Sequence, residues 1–116
     1  MPAAGTPKTV TVGQLAGGDF PVVGWLVVLD GPMQHLTLQL GETTTIGSAP
    51  PADLVLPDGE IAALHVELRG GAAGFRAVDR SGRGFAVNEQ VTTELDLVDN
   101  DVLRVGATRL AFKSAS

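Results

Sequence analysis

Two histidines, His35 and His65, are the side chains of this sequence best suited to bind a metal or transfer a proton. They lack the H-x-x-x-H spacing that brings two imidazoles to one metal ion. No serine lies in a G-x-S-x-G turn that would present a hydrolytic nucleophile, and the chain has no cysteine. The glycines at 82 and 84 lack the lysine and the strand-to-helix context of a nucleotide loop. The sequence therefore predicts no catalytic centre, no bound metal and no cofactor.

The charged residues are distributed unevenly along the chain, which has a formal net charge of -5 at neutral pH. Of its 8 basic residues, only Lys8 precedes Arg69, and the stretch 9–68 contains seven acidic residues but no lysine or arginine. A nucleic-acid surface needs clustered cations that displace counterions from the phosphates. Nucleic acid is therefore not a predicted partner.

The apolar segments are too short to cross a bilayer. The longest unbroken apolar run, Trp25 to Leu29, is far below the ~20 residues that a membrane-spanning helix needs. Residues 1–10 lack the apolar centre of a signal peptide, and a chain without cysteine is compatible with a reducing compartment. We therefore expect a cytoplasmic protein that does not insert into a membrane.

Short strands separated by turns are indicated by 15 glycines, 7 prolines and many valines, leucines and threonines. Turn signals recur about every 8 to 12 residues, which is typical of an all-β sandwich. We expect residues 1–20 to be a flexible leader and residues 21–116 to form one domain. The predicted strands are 24–30, 35–40, 43–47, 53–56, 65–69, 75–79, 84–88, 93–97, 101–105 and 108–113.

Alternation of apolar and polar residues predicts which leucines face the core. Leu36, Leu38 and Leu40 are expected to point inward, and so are Leu95 and Leu97. Gly41-Glu42 is then predicted to be a hairpin turn into the next strand. We expect Trp25, the only tryptophan, to be a buried or half-buried anchor in the first strand.

The stretch 60–69 allows a second interpretation. Ile61, Leu64 and Leu68 have helical spacing, and Gly70-Gly71 is a suitable helix end, so a two-turn helix is the alternative. Val66 and the proline-rich segment before it favour a strand that begins near residue 65.

The order of several short motifs resembles that of a forkhead-associated (FHA) domain over roughly residues 24–113. This resemblance implies an FHA-like β-sandwich of two antiparallel sheets, with functional loops at one end that usually recognise phosphothreonine. The motifs are Ile46-Gly47-Ser48, Asp53-Leu54-Val55-Leu56, Ala62-Ala63-Leu64-His65, Asp79-Arg80-Ser81, Arg83-Gly84-Phe85, Val87-Asn88-Glu89 and Asp99-Asn100-Asp101, followed by Gly106.

The resemblance assigns scaffold roles and binding roles to different residues. Gly47 and His65 match scaffold positions, the glycine in a tight turn and the histidine steadying neighbouring loops. The candidate binding positions are Ser48, Ala62, Arg83, Gly84 and Asn88. At three of them this chain differs from the family, which has arginine where Ser48 lies, serine where Ala62 lies and asparagine where Arg83 lies. The second basic position of the family is occupied by Ala63 or Leu64.

These replacements lead to two hypotheses for function. A phosphate carries about -1.5 to -2 charges and is best held by charge-assisted donors, which Ala62 and Ala63 do not supply. The first hypothesis is a non-enzymatic protein-interaction or assembly module that does not recognise phosphothreonine in the usual way, and whose partner docks on a sheet face or an edge strand. The alternative is a divergent phosphopeptide-binding domain that uses Arg83, Ser48 and loop backbone amides. Arg83 would otherwise be a solvated arginine in a turn.

Overall fold

The computed structural model describes residues 22–115, so the predicted leader over residues 1–20 lies outside the described residues. Eleven strands are present in the described part of the chain. They are β1 (Val23–Val28), β2 (Thr37–Gln39), β3 (Thr43–Gly47), β4 (Leu54–Val55), β5 (Val66–Gly71), β6 (Gly74–Asp79), β7 (Phe85–Val87), β8 (Gln90–Thr92), β9 (Glu94–Leu97), β10 (Val102–Val105) and β11 (Thr108–Ala115).

The strands form two sheets that face each other. One sheet has six strands in the order β2-β1-β11-β10-β7-β8, and the other has five in the order β4-β3-β5-β6-β9. Every pair is antiparallel except β3 and β4, which run parallel. The all-β sandwich is therefore confirmed, with one parallel pair in sheets that were expected to be wholly antiparallel.

The core lies between the two sheets and is formed by alternate residues of each strand. On β1, Leu26 and Val28 are fully buried, while Trp25 is half-buried on the outer face, as expected for an anchor in the first strand. Phe75 of one sheet and Phe112 of the other meet edge to face, with ring centroids 5.6 Å apart. Burial of large apolar side chains at such positions is the main favourable contribution to folding.

The predicted hairpin at Gly41-Glu42 is wrong, because the chain changes sheets there. β2 pairs with β1, whereas β3 pairs with β4 and β5. Leu40 is buried at this crossing, but Leu36 is 37% exposed because it precedes β2 and follows His35, whose φ is 79°. The inward alternation therefore applies to Leu38 and Leu40 only.

The strand interpretation of residues 65–69 is confirmed and the helical alternative is wrong. β5 lies between β3 and β6, and Val66 and Leu68 on its inner face are fully buried. Leu97 of β9 is buried as predicted, but Leu95 is 39% exposed because β9 is an edge strand with no neighbour beyond it among the described residues. The short strand β8 had not been predicted.

No helix within residues 22–115 has the length and apolar character needed to cross a bilayer.

Candidate functional site

Three connecting segments meet at one end of the sandwich: residues 48–53 between β3 and β4, 56–65 between β4 and β5, and 80–84 between β6 and β7. We call this the loop end. The first two segments are joined by the backbone, since the amide of Ser48 donates to the carbonyl oxygen of Ala62 at 3.0 Å. The structure thus brings two of the sequence-predicted binding positions together.

The second and third segments are joined by His65, which is 2% exposed. The amide of Ala62 donates to Nδ1 of the imidazole at 3.0 Å, and Nε2 lies 2.9 Å from the carbonyl oxygen of Gly84. Because Nδ1 accepts a hydrogen bond, the proton must be on Nε2, which donates to Gly84. The buried histidine therefore fixes Ala62 relative to Gly84.

Gly47 ends β3 at the point where the backbone of the next segment comes closest. A Cβ atom at this position would lie 1.9 Å from the carbonyl oxygen of Ala63 and 3.2 Å from the Cβ of Ala52. Only glycine permits such an approach without displacing the backbone. The requirement for glycine here arises from the meeting of two segments and is not due to a special backbone angle.

Arg83 lies at the tip of the third segment and is exposed. Its amide donates to the hydroxyl of Ser81 at 2.9 Å, and its guanidinium donates through Nη1 to the carbonyl oxygen of Glu60 at 3.1 Å. The side chain borders an open depression whose other lining residues include Glu60, His65, Gly84, Val91, Arg104 and Gly106. The other guanidinium N–H groups of Arg83 have no hydrogen-bond partner within residues 22–115, so they could donate to an anion.

Asp79 shapes the segment that carries Arg83. Its carboxylate accepts hydrogen bonds from the amide and hydroxyl of Ser81, at 3.1 and 2.7 Å, and from the amide of Gly82 at 2.9 Å. Partial burial tends to raise the pKa of Asp79, but these hydrogen bonds outweigh it and hold the pKa below its ordinary value. The carboxylate thus remains charged and fixes the turn before Arg83.

Asp58 ties the second segment to the turn between β10 and β11. Its carboxylate accepts from the amide of Glu60 at 2.8 Å, the amide of Ala107 at 2.9 Å and the hydroxyl of Thr108 at 2.8 Å. Burial opposes ionisation, but these donors lower the pKa of Asp58 below its ordinary value. The turn between β10 and β11 is therefore a fourth segment that holds the loop end in place.

The polar groups that remain at the loop end are few. The amides of Ser48, Ala62 and Arg83 already donate within the protein, so any backbone donors for the alternative hypothesis would have to come from other loop residues. Among the sequence-predicted binding positions, the side chains with donors to offer are the Arg83 guanidinium and the Ser48 hydroxyl. Of these two, only Arg83 lines the depression.

Asn88 is not brought to this group of residues. It forms a two-residue turn with Glu89 at the far end of β7, with φ values of 51° and 68°. Its side chain donates to Asp101 at 2.9 Å and accepts from the amide of Val102 at 3.0 Å. These contacts give Asn88 a place in the scaffold, apart from the other candidate binding positions.

Two residues beside Arg83 were missed by sequence reasoning. The carbonyl oxygen of Glu60 orients the guanidinium, and Arg104 supplies a second guanidinium to the same depression while it pairs with Glu89 at 2.6 Å. The contact made by the Glu60 carbonyl oxygen could not be predicted from residue types, because every residue has a backbone carbonyl. Arg104 could have been found only from the register of β10 with β7, which places it opposite Ala86.

The family model described as the cytoplasmic domain of the inner membrane component of the type III secretion system (T3SS) matches residues 27–116 of this chain. Among curated proteins, an oxoglutarate dehydrogenase inhibitor from Corynebacterium diphtheriae is 34% identical over 91 residues. That match covers 77% of this chain but only 64% of the relative's length.

Solved structures with a similar fold include FHA domains. A protein from a study of phosphothreonine-dependent FHA domain interactions is 28% identical, with a TM-score of 0.73 over 84% of this chain and 99% of its own. The cytoplasmic domain of the T3SS sorting platform protein PscD from P. aeruginosa is 30% identical, with a TM-score of 0.67 over 77% of this chain and 78% of its own. The FHA fold implied by the sequence motifs is therefore confirmed.

Proposed function

This chain belongs to the family of the cytoplasmic domain of the T3SS inner membrane component, and we propose that its loop end binds a threonine-phosphorylated segment of a partner protein. The chain has the FHA fold and is a non-enzymatic protein-interaction module. The phosphate would be held by the guanidinium of Arg83 with help from the hydroxyl of Ser48. We further propose that the chain acts in the cytoplasm.

The observation that carries this proposal is the position of Arg83. A guanidinium lies at the tip of a segment that Asp79 and His65 fix in place, and it donates only one of its hydrogen bonds within residues 22–115, to Glu60. A prepositioned guanidinium is the side chain best matched to a phosphate, because its forked donors can engage two oxygens. The relative studied for phosphothreonine-dependent interactions supports the same ligand chemistry.

The nearby acidic residues oppose a phosphate less than their number suggests. Asp58 is already surrounded by three donors, and Asp53 accepts from the amide and hydroxyl of Thr45 at 2.9 and 3.1 Å. Because each carboxylate is directed toward protein donors, its negative charge is partly compensated. The repulsion that remains comes mainly from Glu60 at the rim.

The expected affinity is modest. Each charge-assisted hydrogen bond contributes roughly 1.5 to 3 kcal/mol, and this site has one guanidinium without a carboxylate partner within residues 22–115, where the FHA pattern would add an arginine and a serine. Micromolar binding corresponds to about -8 kcal/mol, so the loss of those two donors, roughly 3 to 6 kcal/mol, places the dissociation constant in the millimolar range. The phosphate would therefore contribute more to the choice between phosphorylated and unmodified partners than to a high affinity.

A second candidate function is a module that binds its partner without a phosphate. It is favoured by Ala62, Ala63 and Leu64, which carry no side-chain donors where an FHA phosphate site has them, and by the engaged amide of Ala62. In that case the partner would dock on a sheet face or an edge strand.

The experiment that separates the two functions is a titration of the chain against peptide libraries that contain either phosphothreonine or unmodified threonine. We expect a preference for the phosphorylated library, and a loss of that binding of about 10- to 100-fold in Arg83→Ala. The matched control is Arg80→Ala, since Arg80 lies on the same segment but pairs with Glu67 at 2.7 Å on the sheet surface.

Equal binding of both libraries would contradict the phosphate proposal and favour the second function. Phosphate-dependent binding that survives Arg83→Ala but is lost in Arg80→Ala would place the phosphate elsewhere on the surface.

A further inference from the structure

The side chain of Val91 on β8 borders the depression beside Arg83, but the backbone edge of β8 is a separate feature that the proposed phosphate site does not use. β8 is the last strand of the six-stranded sheet, and no strand within residues 22–115 pairs with its outer side. Val91, at the centre of β8, is 79% exposed, the highest value for a large apolar side chain among the described residues. An isolated exposed valine is ordinary, but a valine in the middle of an unpaired strand invites pairing.

The backbone of Val91 points toward this free edge. The two-residue turn at Asn88-Glu89, with both φ values positive, places Val87 and Gln90 as the hydrogen-bonded pair that closes the hairpin. Hydrogen-bonded and non-bonded pairs alternate along an antiparallel ladder, so Val91 and Ala86 form a non-bonded pair. The N–H and C=O of Val91 are therefore directed away from β7.

Two of the other three sheet edges, β9 and β4, are protected in ways that β8 is not. β9 carries Glu94 and Asp96, and charges on an edge strand discourage pairing with another chain. β4 has only two residues and lies between proline-containing segments. β2 is also a short edge strand without charges, but its apolar residue, Leu38, packs against the core, so a second strand would find no exposed apolar side chain there. The three residues of β8 are uncharged, and its one apolar side chain faces solvent.

We propose that β8 pairs with β8 of a second copy of this chain, antiparallel about a two-fold axis that passes beside Val91. In this arrangement the two Val91 residues exchange both of their backbone hydrogen bonds, and their side chains lie next to each other on the outer face. The pairing joins two six-stranded sheets into one continuous sheet with an isologous contact.

The register of this pairing brings no like charges together. With Val91 opposite its own copy, Gln90 lies opposite Thr92, and Glu89 lies opposite Thr93. Opposed charges of the same sign would destabilise such a ladder, and none occurs along this edge. The sequence of β8 and its flanks is thus complementary to itself.

The dimer is weak, because the paired strand is three residues long. An interface of this size falls at the small end of transient protein contacts, and we expect a dissociation constant on the order of 0.1 to 1 mM. Two copies held close together by a larger assembly would reach such concentrations. Each chain has a net charge of -5, so measurements need about 0.15 M salt to screen the mutual repulsion.

Sedimentation of the 116-residue chain from about 0.05 to 2 mM, together with amide hydrogen exchange followed by NMR, tests the proposal. We expect the average mass to rise toward that of a dimer and the Val91 amide to exchange at least about threefold more slowly at the highest concentration. Val91→Lys should restore the monomer, because it places two ammonium groups side by side while leaving the monomer folded. The matched control is Leu95→Lys on β9, the edge of the other sheet.

A monomer at every concentration would overturn the proposal. A dimer that forms without slower exchange at Val91, or that is lost in Leu95→Lys but not in Val91→Lys, would overturn it by placing the contact on another surface. A monomer whose Val91 amide slows only on addition of peptide would also overturn it, and would assign the edge to an extended ligand.

Discussion

The two ends of the sandwich use their polar side chains differently. At the end opposite the loop end, the Asn88 amide group and the Asp101 carboxylate satisfy each other and the backbone of β10. Asn88 binds Asp101 and Val102, and Asp101 also accepts from the amide of Val98 at 2.8 Å. Asp101 is 7% exposed. A buried carboxylate whose partners all lie within the protein stabilises the fold and offers little to a ligand.

The loop end contains similar supporting residues but leaves some donors unused. His65, Asp58 and Asp79 are saturated with partners inside the protein, as Asp101 is at the other end. Above them, the Arg83 guanidinium has one partner in the part of the chain that the structure describes, and the Ser48 hydroxyl has none there.

This comparison indicates which polar residues are structural and which are available to a ligand. Replacing a group whose hydrogen-bond partners all lie within the protein should lower the stability of the fold. Replacing a group that still has donors to offer should weaken ligand binding alone. Replacing one of the supporting residues of the loop end, His65, Asp58 or Asp79, should do both.

The largest expected effect is that of Gly47→Ala. Its Cβ would lie 1.9 Å from the carbonyl oxygen of Ala63, so two loop segments must separate. We expect the free energy of unfolding to fall by at least about 3 kcal/mol, measured by urea denaturation. The control Gly59→Ala has no heavy atom within 4 Å of the new Cβ and should change it by less than about 1 kcal/mol. Equal losses in the two variants would show that the close approach at Gly47 does not constrain the loop end.

The next effect compares the buried polar groups at the two ends. His65→Ala leaves the Ala62 amide and the Gly84 carbonyl without partners and creates a cavity. We expect a loss of about 2–4 kcal/mol in the free energy of unfolding and also the loss of phosphopeptide binding. Asp101→Ala should lower stability by about 2 kcal/mol but leave peptide affinity unchanged. The free energy of unfolding is measured by urea denaturation, and the peptide affinity is measured at a low temperature at which each variant is fully folded.

If His65→Ala kept normal peptide affinity, the histidine would be a fold residue only. His65 would then affect stability alone, as Asp101 does at the opposite end of the sandwich.

A smaller effect is expected from adding donors to the loop end. Ser48→Arg combined with Ala62→Ser places a guanidinium and a hydroxyl where the FHA pattern has them. Phosphopeptide affinity should rise by about 10- to 100-fold, which corresponds to one charge-assisted hydrogen bond of roughly 1.5 to 3 kcal/mol, because the two new side chains must lose their own conformational freedom on binding. Ser48→Gln with Ala62→Ser is the neutral control of similar length. A folded double variant without any gain would mean that these positions do not face the ligand.

The sequence predicted most of what depends on alternation and on local turn chemistry. Val66 and Leu68 identified β5 as a strand, and alternation correctly placed Leu40 and Leu97 in the core and Leu38 against it. Such patterns are visible because burial repeats every two residues along a strand. The overall β-sandwich was predicted from the regular spacing of turn signals and from the order of the FHA-like motifs.

The sequence could not predict what depends on the register between distant strands. The depression beside Arg83 exists because β10 pairs with β7, which brings Arg104 opposite Ala86. The three residues of β8 are too few to show a period, and the exposure of Leu95 depends on β9 being an edge. Chemistry at the loop end also depends on carbonyl oxygens, which every residue has.

The smallest expected effect concerns pH and separates two kinds of carboxylate. Hydrogen bonds from uncharged donors lower the pKa of Asp58 and Asp79 despite burial, whereas arginine partners lower the pKa of Asp30, Glu67 and Glu89. A carboxylate whose pKa is lower in the folded state stabilises the fold above its unfolded pKa, about 3.9 for aspartate and 4.3 for glutamate. That contribution is lost as the pH falls through the folded pKa, so stability should decline below about pH 4.

Salt should distinguish the two kinds of carboxylate at the same acidic pH. About 1 M salt screens exposed arginine pairs but leaves hydrogen bonds to amides and hydroxyls nearly unchanged. The acid sensitivity that persists in salt should therefore come from the loop end and should be reduced in Asp79→Asn, as measured by urea denaturation from pH 2.5 to 6. If salt removed all of the acid sensitivity, the arginine pairs would account for it. The hydrogen-bonded carboxylates of the loop end, Asp58 and Asp79, would then make no measurable contribution to the pH dependence of stability.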